Sequence, residues 1–435
     1  MIRKMKRGTV LFLLLMPFIA KAQDTLRLPE AINLSLKNSL DLQISNNIIE
    51  SNTILNNYGV AGGLPLVTAN IADNEQVTNI NQKLNTGSSI KRNGAATNNL
   101  TVGVTGSILL YNGGRVIATK NRLAELEKQS RIQLNSSIQN IMADVMTGYY
   151  DIVRQQSYTK TIDKSIDIAQ QKLTIVKVRQ DVGLANNADL FQAQLDLNTL
   201  QQTKQSQLLV IEQAKTELLR QLTLKADSSI NISDTIIVDR SIVLGDILNN
   251  LQKNADIQAA EEQIKINSFI VKETAALRYP SIRGTTGFNF SRNQAAAGQL
   301  LLNQSYGPTI GVSIGIPIYN GSVFRRQQKV AELDVKNAEL DKKILERDYA
   351  AQAVKSFQSY TSSLQQLEAE QRNYDTAAKL VFVVLKRFQQ RIATIVDMKN
   401  AQQSFEESGY RLVNLSYAAK VAEIELKRLA NQLKP

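Results

Sequence analysis

The chain has 435 residues, of which 43% are hydrophobic, so it is long enough for one large repeated domain or several ordinary ones. It carries a formal net charge of +12 and contains no Cys, His or Trp. Without Cys there is no disulfide or thiolate ligand, and without His the commonest general base and metal ligand is missing. We therefore expect no enzyme, no cofactor and no metal. Lysine and arginine alternate with acidic residues instead of clustering among aromatic ones, so nucleic acid is not an expected partner.

Residues 1–22 have the features of a secretory signal peptide. Basic residues between positions 3 and 7 precede an apolar run from Thr9 to Ala20, and an Ala-x-Ala cleavage site follows at 20–22. No later apolar run reaches the ~18 residues of a transmembrane helix. The mature protein is therefore expected to be exported, as a periplasmic, secreted or outer-membrane β protein.

The rest of the sequence contains two tandem copies of one unit. Tyr111 and Tyr319 lie 208 positions apart, and Asp189 and Asp397 have the same separation. The tyrosine and the aspartate are thus separated by the same number of residues in both halves, 189 − 111 = 397 − 319 = 78. The predicted domains are the signal peptide at 1–22, a first copy at 23–222, a linker at 223–244 and a second copy at 245–435.

Each copy begins with a helix and continues with a pair of strands. The first helix is predicted from Pro29 to Asn57, because apolar residues recur on one face and a Gly/Pro break follows at 62–65. The clearest strand runs from Tyr306 to Ile318, where apolar residues alternate with small or polar ones. The other strands are predicted at 67–72, 100–105 and 282–290, and external loops are predicted at 74–98 and 291–303.

The two faces of these strands favour a membrane location. A small polar face suits a water-filled lumen when the apolar face meets lipid, and the strands approach the ~9–11 residues that span a bilayer. The alternative is a soluble β-sandwich, whose apolar faces would meet in a core. Strand edges cannot stay unpaired in lipid and four strands cannot close a barrel, so an oligomer is expected. The strand count does not choose between two chains and three.

A very long helix follows the strands in each copy. It is predicted from Val323 to Gln390 without Pro or Gly, and its apolar residues follow the alternating 3 and 4 spacing of a coiled coil. About 67 residues at 1.5 Å each give roughly 100 Å, so the helices must project as a bundle or tube. Sharp turns at 182–187 and 391–394 then return the chain as a further helix.

Four motifs stand at corresponding places in the two copies. They are Val182-Gly183-Leu184-x4-Asp189-x3-Ala193, Thr394-Ile395-Val396-Asp397-x3-Ala401, Tyr111-Asn112-Gly113-Gly114 and Tyr319-Asn320-Gly321. The first two are similar to the hairpin tips of the TolC outer-membrane efflux family, and the last two to its barrel-to-helix junctions. With the doubled element order, the resemblance covers essentially the whole mature chain.

The resemblance implies an α+β membrane protein: a homotrimer with four strands per chain in a twelve-stranded β-barrel, continuous with a periplasmic coiled-coil tunnel. It implies the outer-membrane exit duct of a tripartite efflux or type I secretion system. The partners it implies are outer-membrane lipid, a periplasmic adaptor (membrane fusion) protein and an inner-membrane pump of RND, ABC or MFS type. The adaptor would contact the tips at Val182, Gly183, Leu184, Ile392 and Ala393.

The resemblance also implies a polar latch that closes the inner end of the tunnel. In this family a Tyr and an Arg on the second hairpin hold an Asp on the first. Asp189 matches that carboxylate, but Phe388 and Ala393 stand at the Tyr and Arg positions. Arg391, where the first copy has a glycine, and Arg387 are candidate substitutes; otherwise the closed state is weaker.

The family's constriction is lined by carboxylates near the second tip. Asp397 matches the first of them, whereas Asn400 stands at the second. Three copies of Asp397 would form an acidic ring that favours cations. Alternatively Asp397, like Asp189, caps its returning helix, where a carboxylate satisfies free backbone N–H groups. The two roles are compatible.

Two non-enzymatic alternatives stay open at this point. A secreted or surface-attached coiled-coil protein, structural or adhesive, would explain the helices but not the alternating strands. A periplasmic adaptor also has helical hairpins, but it needs a lipoyl-like β segment between their arms, and the sequence contains none.

Overall fold

The computed structural model describes residues 25–298 and 300–434, so the predicted signal peptide lies outside the described residues. Over these ranges the chain forms eight α-helices, one 3-10 turn and four β-strands. No described helix combines the length and the hydrophobicity needed to cross a membrane.

The elements follow the same order in the two halves of the chain. The first half contains α1 (Leu28–Asn38), α2 (Leu40–Leu55), β1 (Leu66–Lys83), β2 (Ser89–Tyr111), α3 (Arg115–Asp181) and α4 (Asn187–Gln221). The second half contains α5 (Leu244–Asn250), the 3-10 turn Leu251–Lys253, α6 (Ala255–Ala276), β3 (Ser281–Ala295), β4 (Leu302–Gly315), α7 (Val323–Gln389) and α8 (Ile395–Leu429). Both α3 and α7 have 67 residues, and both α4 and α8 have 35.

The first predicted helix is in fact two helices. The chain breaks at Ser39, whose backbone leaves the helical region at φ −53 and ψ 124. The Ser39 hydroxyl accepts a hydrogen bond from the N–H of Leu42 at 3.2 Å. Serine is a favoured N-cap because its short side chain satisfies an N–H that a helix start leaves free. Next to the break, the last residue of α1 contacts the end of α4: Asn38 Nδ2 donates to the carbonyl of Leu222 at 3.5 Å.

The four strands form one antiparallel sheet in the order β1-β2-β3-β4. Directly opposite residues of neighbouring strands point to the same face. One row of opposite residues joins Ile71, Val102, Phe290 and Tyr306, and this face is mainly apolar. The other face is mainly Thr, Ser, Asn and Gly. The sheet therefore has the two unlike faces that the alternation predicts.

Both segments that were predicted as external loops are largely strand. Within 74–98 only residues 84–88 lie outside a strand, and within 291–303 the described residues outside a strand are 296–298 and 300–301. The prediction was wrong because it relied on alternation. A strand whose two faces both meet water needs no apolar face, so its sequence lacks the alternation of apolar and polar residues by which strands were predicted.

The last strand and the helix after it differ in how well they were predicted. β4 ends at Gly315 and not at Ile318, since Pro317 has no N–H with which to pair. The long helix α7 begins at the predicted Val323 and ends one residue before the predicted Gln390.

The core lies along α3 and α7. α3 packs against α2, α4, α6 and α8, and α7 packs against α6 and α8. Tyr149 of α3 and Tyr360 of α7 are buried, with 1% and 2% exposure. Each tyrosine hydroxyl donates to the segment that connects the two halves: Tyr149 to Asp234 at 3.2 Å, and Tyr360 to the carbonyl of Asp239. The connecting segment is thereby held across both long helices.

Candidate functional site: hairpin tips and strand-to-helix junctions

The hairpins α3–α4 and α7–α8 reverse direction through turns of the same geometry. Gly183 and Arg391, which are 208 positions apart, have φ of 77° and 66°. The N–H of Leu184 bonds the carbonyl of Arg179 at 2.7 Å, and the N–H of Ile392 makes the equivalent bond at 2.9 Å. Glycine adopts positive φ freely, whereas a β-carbon makes this conformation cost about 1–2 kcal/mol. The second tip therefore holds a strained residue where the first has glycine.

The two returning helices have the same kind of N-cap and differ in the bonds of the aspartate that follows it. In the first hairpin Asn186 Oδ1 accepts from the N–H of Asp189 at 2.7 Å, and no described residue bonds the Asp189 carboxylate. In the second, the Asp397 carboxylate accepts from the N–H and the hydroxyl of Thr394, both at 2.8 Å. These two bonds, with the nearby charge of Arg387, hold the pKa of Asp397 below its usual range. The Thr394 hydroxyl also accepts from the N–H of Asp397 at 3.1 Å, so Asp397 completes a capping box with its N-cap, whereas Asp189 does not.

One contact joins the two tips directly. Phe388 is 2% exposed and packs against Val176 and Ala193 of the first hairpin. The Arg179 guanidinium donates to the backbone carbonyl of Phe388 and lies 4.4 Å from the centroid of its ring. Burial, and then the nearby charge of Arg391, lower the pKa of Arg179. The guanidinium of the first hairpin thus binds both the backbone and the ring of a residue of the second hairpin.

The residues considered as substitutes for the latch do not reach Asp189 within one chain. Among the described residues, the side chains of Arg387 and Arg391 have no hydrogen bond or ion pair. Arg179 was missed from the sequence, although a signal was present. Lys172 and Arg179 lie three residues after Ala169 and Val176, so two cations continue the alternating 3 and 4 spacing of this buried stripe of α3.

The residues predicted to contact an adaptor lie at the surface of both tips. Val182, Leu184 and Ile392 are 63%, 53% and 61% exposed. Gly183 is exposed as well, while Ala393 packs partly into the cluster between the hairpins. Large apolar side chains gathered at two adjacent turns are typical of a surface that a partner covers.

A buried lysine and two half-buried carboxylates lie between α3, α4 and α8, behind the tips. The Lys172 side chain is 0% exposed and its ammonium pairs with Asp196 at 2.6 Å. Glu406 accepts a hydrogen bond from Gln402 at 3.1 Å, and burial raises its pKa. None of these residues was predicted from the sequence. Asn400, which was predicted at the constriction, is exposed, and its carbonyl accepts from a serine hydroxyl one helical turn on at 2.9 Å.

Each strand-to-helix junction uses two consecutive residues with positive φ. The angles are 70° and 82° at Gly113 and Gly114, and 64° and 62° at Gly321 and Ser322. A β-carbon on Gly113 would lie 2.7 Å from Cβ of Tyr279, whereas one on Gly321 would have nothing within 4 Å. The first junction therefore needs glycine for space and for conformation, and the second for conformation alone.

The polar and aromatic residues of these junctions are also placed alike. The carbonyls of Asn112 and Asn320 accept from the first N–H of α3 and of α7, both at 3.3 Å. Asn112 Oδ1 also accepts from the second N–H of α3 at 3.3 Å. Tyr111 and Tyr319 are 45% and 85% exposed where the sheet ends. Exposed tyrosines at this level suit a membrane–water boundary.

The family described as outer membrane efflux protein matches this sequence at residues 64–223 and 247–432. The matched ranges cover most of the chain. The chain belongs to the outer membrane efflux protein family. It is 22% identical over 332 residues to the outer membrane efflux protein BepC of Brucella suis biovar 1 (strain 1330), a match that covers 75% of this chain and 71% of BepC.

Solved structures share the fold of this efflux-family protein. The outer membrane protein VceC of Vibrio cholerae superimposes with a TM-score of 0.76 at 16% identity, over 93% of this chain and 96% of VceC. The outer membrane channel CmeC of Campylobacter jejuni gives 0.74 at 15% identity, over 93% and 85%. The predicted α+β fold class is confirmed.

The efflux-family protein is therefore an outer-membrane channel protein with its helices in the periplasm, as predicted. Its family and fold are those of channels and not of enzymes. Family membership also sets aside the adhesive coiled-coil protein and the periplasmic adaptor as alternatives.

Proposed function

We propose that three copies of this chain assemble into one duct that conducts substrates passively out of the cell. The observation that carries the assembly is the sheet, in which β1 and β4 are edges within one chain, and the number of three copies rests on the family resemblance. An unpaired backbone group in lipid costs several kcal/mol, so the β1 edge must pair with β4 of a neighbour. Each repeat, 23–222 and 245–435, supplies two strands, and three chains supply the twelve of a closed barrel.

The duct would be the exit part of a tripartite efflux or type I secretion system. Its periplasmic tips would dock an adaptor protein that is coupled to an inner-membrane pump of RND, ABC or MFS type. The exposed side chains of Val182, Leu184 and Ile392 support this docking. So does a groove of about 820 Å³ between α3 and α7, with Tyr374 and Phe382 in its apolar wall and Asp163 and Asp167 in its charged wall, which suits an amphipathic partner helix.

The constriction of the duct is assigned to the second tip. Asp397 is exposed, and its lowered pKa keeps the carboxylate ionised at neutral pH. Three copies around the pore would make an acidic ring that favours cations, while each carboxylate still caps its own helix. Asp189, Phe388, Arg391 and Asn400 would surround this ring.

Planar bilayers test the duct and the ring separately. The wild-type protein is expected to conduct ions and to prefer cations, and Asp397→Asn to lower that preference. The matched control is Asp227→Asn, which removes the same charge from the exposed connecting segment. Wild-type protein that never conducts would contradict the duct. Normal conductance with unchanged selectivity in Asp397→Asn would contradict the ring alone.

A further inference from the structure

The polar face of the sheet carries one charge close to the helices. The register places Arg283 opposite Leu109 of β2 and Ser313 of β4, so all three point to the polar face. The neighbours along that face are Thr, Ser, Asn, Gln, Gly, Ala and Leu. Arg283 is its only ionisable residue within the described strand segments 66–76, 97–109, 281–293 and 303–315.

A second guanidinium shares the site. Arg115, the first residue of α3, and Arg283 line one cavity of about 490 Å³ between the sheet and the starts of α3 and α7. Among the described residues, neither guanidinium has a hydrogen-bond or ion-pair partner. Tyr279 and Phe324 supply aromatic walls. Two unpaired cations thus face one concave surface.

The surrounding chain offers no negative charge to neutralise them. The sequence has no acidic residue between Glu75 and Glu125, and none between Glu273 and Glu332. Both junctions lie inside these two stretches. Glu273, at the near end of α6, is already paired with Arg122 at 2.7 Å. The positive charge at the cavity is therefore uncompensated.

We propose that Arg283, together with Arg115, forms an anion-binding collar on the lumen side, where the barrel meets the helical tunnel. The collar rests on the proposed trimeric duct, in which three copies would surround the lumen. A guanidinium binds carboxylate, sulfonate and phosphate groups through paired N–H donors, so the ligand class is an anionic group on a passing substrate or a small anion. The aromatic walls would contact the apolar body of such a substrate.

The collar gives the helical tunnel charges of opposite sign at its two ends. The acidic ring proposed at the tips favours cations, whereas the collar raises the local concentration of anions at the barrel entrance. Screening confines each effect to about 8–10 Å at moderate salt. Because the collar and the ring are separated by the roughly 100 Å of the long helices, each can be removed without altering the other.

Reversal potentials of the reconstituted full-length protein in a KCl gradient test the collar. Arg283→Gln is expected to raise the permeability ratio of potassium to chloride at least about twofold, and Arg283→Lys to preserve it. The matched control is Arg292→Gln, on the opposite face of the same strand, where the guanidinium donates to Gln294 at 2.8 Å. This control removes an equal charge and is expected to leave the ratio unchanged.

The outcomes separate the collar from the duct. An unchanged ratio in Arg283→Gln, or an equal rise in Arg292→Gln, would overturn the collar while the duct stands. Wild-type protein without any conductance would overturn the proposed function first. If Arg283→Gln does not assemble, Arg115→Gln carries the same test, because it removes a guanidinium from the same cavity outside the sheet. A smaller rise in the same direction is expected, and no rise would contradict the collar.

Discussion

The Arg179 guanidinium of α3 holds Phe388 of α7 through two interactions, a hydrogen bond to its backbone carbonyl and a cation–π contact 4.4 Å from its ring centroid. The link therefore joins the hairpins without any carboxylate. A backbone carbonyl does not titrate, and an arginine stays charged throughout the physiological range. We infer that this contact between the tips, unlike one built on an aspartate, is insensitive to mild acid.

Arg179→Gln is expected to loosen the tips. A hydrogen bond to a charged donor contributes about 1.5–3 kcal/mol, so its loss corresponds to roughly a tenfold or greater rise in the open population. Single-channel recording should show a longer-lived or larger open state. The control is Lys177→Gln, which removes an exposed charge two residues earlier. Equal behaviour of the two variants would contradict the role given to Arg179.

The two hairpin turns should respond oppositely to exchange of their residues. Gly183→Ala is expected to destabilise the first tip by about 1–2 kcal/mol, because alanine is strained at a φ of 77°. Arg391→Gly is expected to stabilise the second tip by a smaller amount, since the flexibility of glycine in the unfolded chain offsets part of the relief. Hydrogen exchange at the amides of Leu184 and Ile392 measures each turn. Faster exchange at Ile392 in Arg391→Gly would contradict the prediction.

The two junction glycines should differ in tolerance. Gly113→Ala adds conformational strain and places a β-carbon 2.7 Å from Cβ of Tyr279, so a loss of about 3 kcal/mol or more is expected. Gly321→Ala adds strain alone and is expected to cost about 1–2 kcal/mol. Thermal unfolding of the purified variants compares them. Similar losses of stability in the two variants would contradict the prediction, because they would show that Tyr279 moves to make room for the added β-carbon.

Glu406 should make stability depend on pH. Burial raises its pKa above the usual 4.5, although Gln402 and the nearby charge of Lys172 act in the opposite direction. The folded state thus retains a proton that the unfolded state has lost, and the free energy of unfolding falls as pH rises from about 4.5 through the raised pKa. Glu406→Gln should remove this fall.

The exposed neighbour Glu407 supplies the control for the Glu406 prediction. Denaturant unfolding between pH 4.5 and 8 should show a flatter profile for Glu406→Gln than for Glu407→Gln or the wild type. A profile for Glu406→Gln as steep as that of the wild type would contradict the assignment.

Regular periodicity made much of the fold predictable. The coiled-coil spacing and the absence of Pro and Gly located α7, which begins at the predicted Val323. The break at Ser39 was not predicted, because one serine within a periodic apolar stretch does not by itself indicate a helix end. The contact of Asn38 with Leu222, at the end of α4, is visible only in the folded structure. Strand residues such as 74–83 lack the alternation that identified the rest.

The candidate site was predicted less completely than the fold. Matching motifs located both tips, and the carboxylate at Asp397 proved to cap its helix. The link through Arg179 depends on a carbonyl and a ring of another hairpin, and no local pattern encodes that pairing. The Arg283 site depends on register across three strands, so it too could not be read from one segment.

The central claim is that three copies of this chain close one barrel and one tunnel. Electron microscopy of the detergent-extracted outer-membrane protein, with native mass for the subunit count, tests it most directly. The account predicts a trimer, seen as a three-fold particle whose hollow stalk is roughly 100 Å long. A monomer, or a solid rod without a barrel, would contradict it.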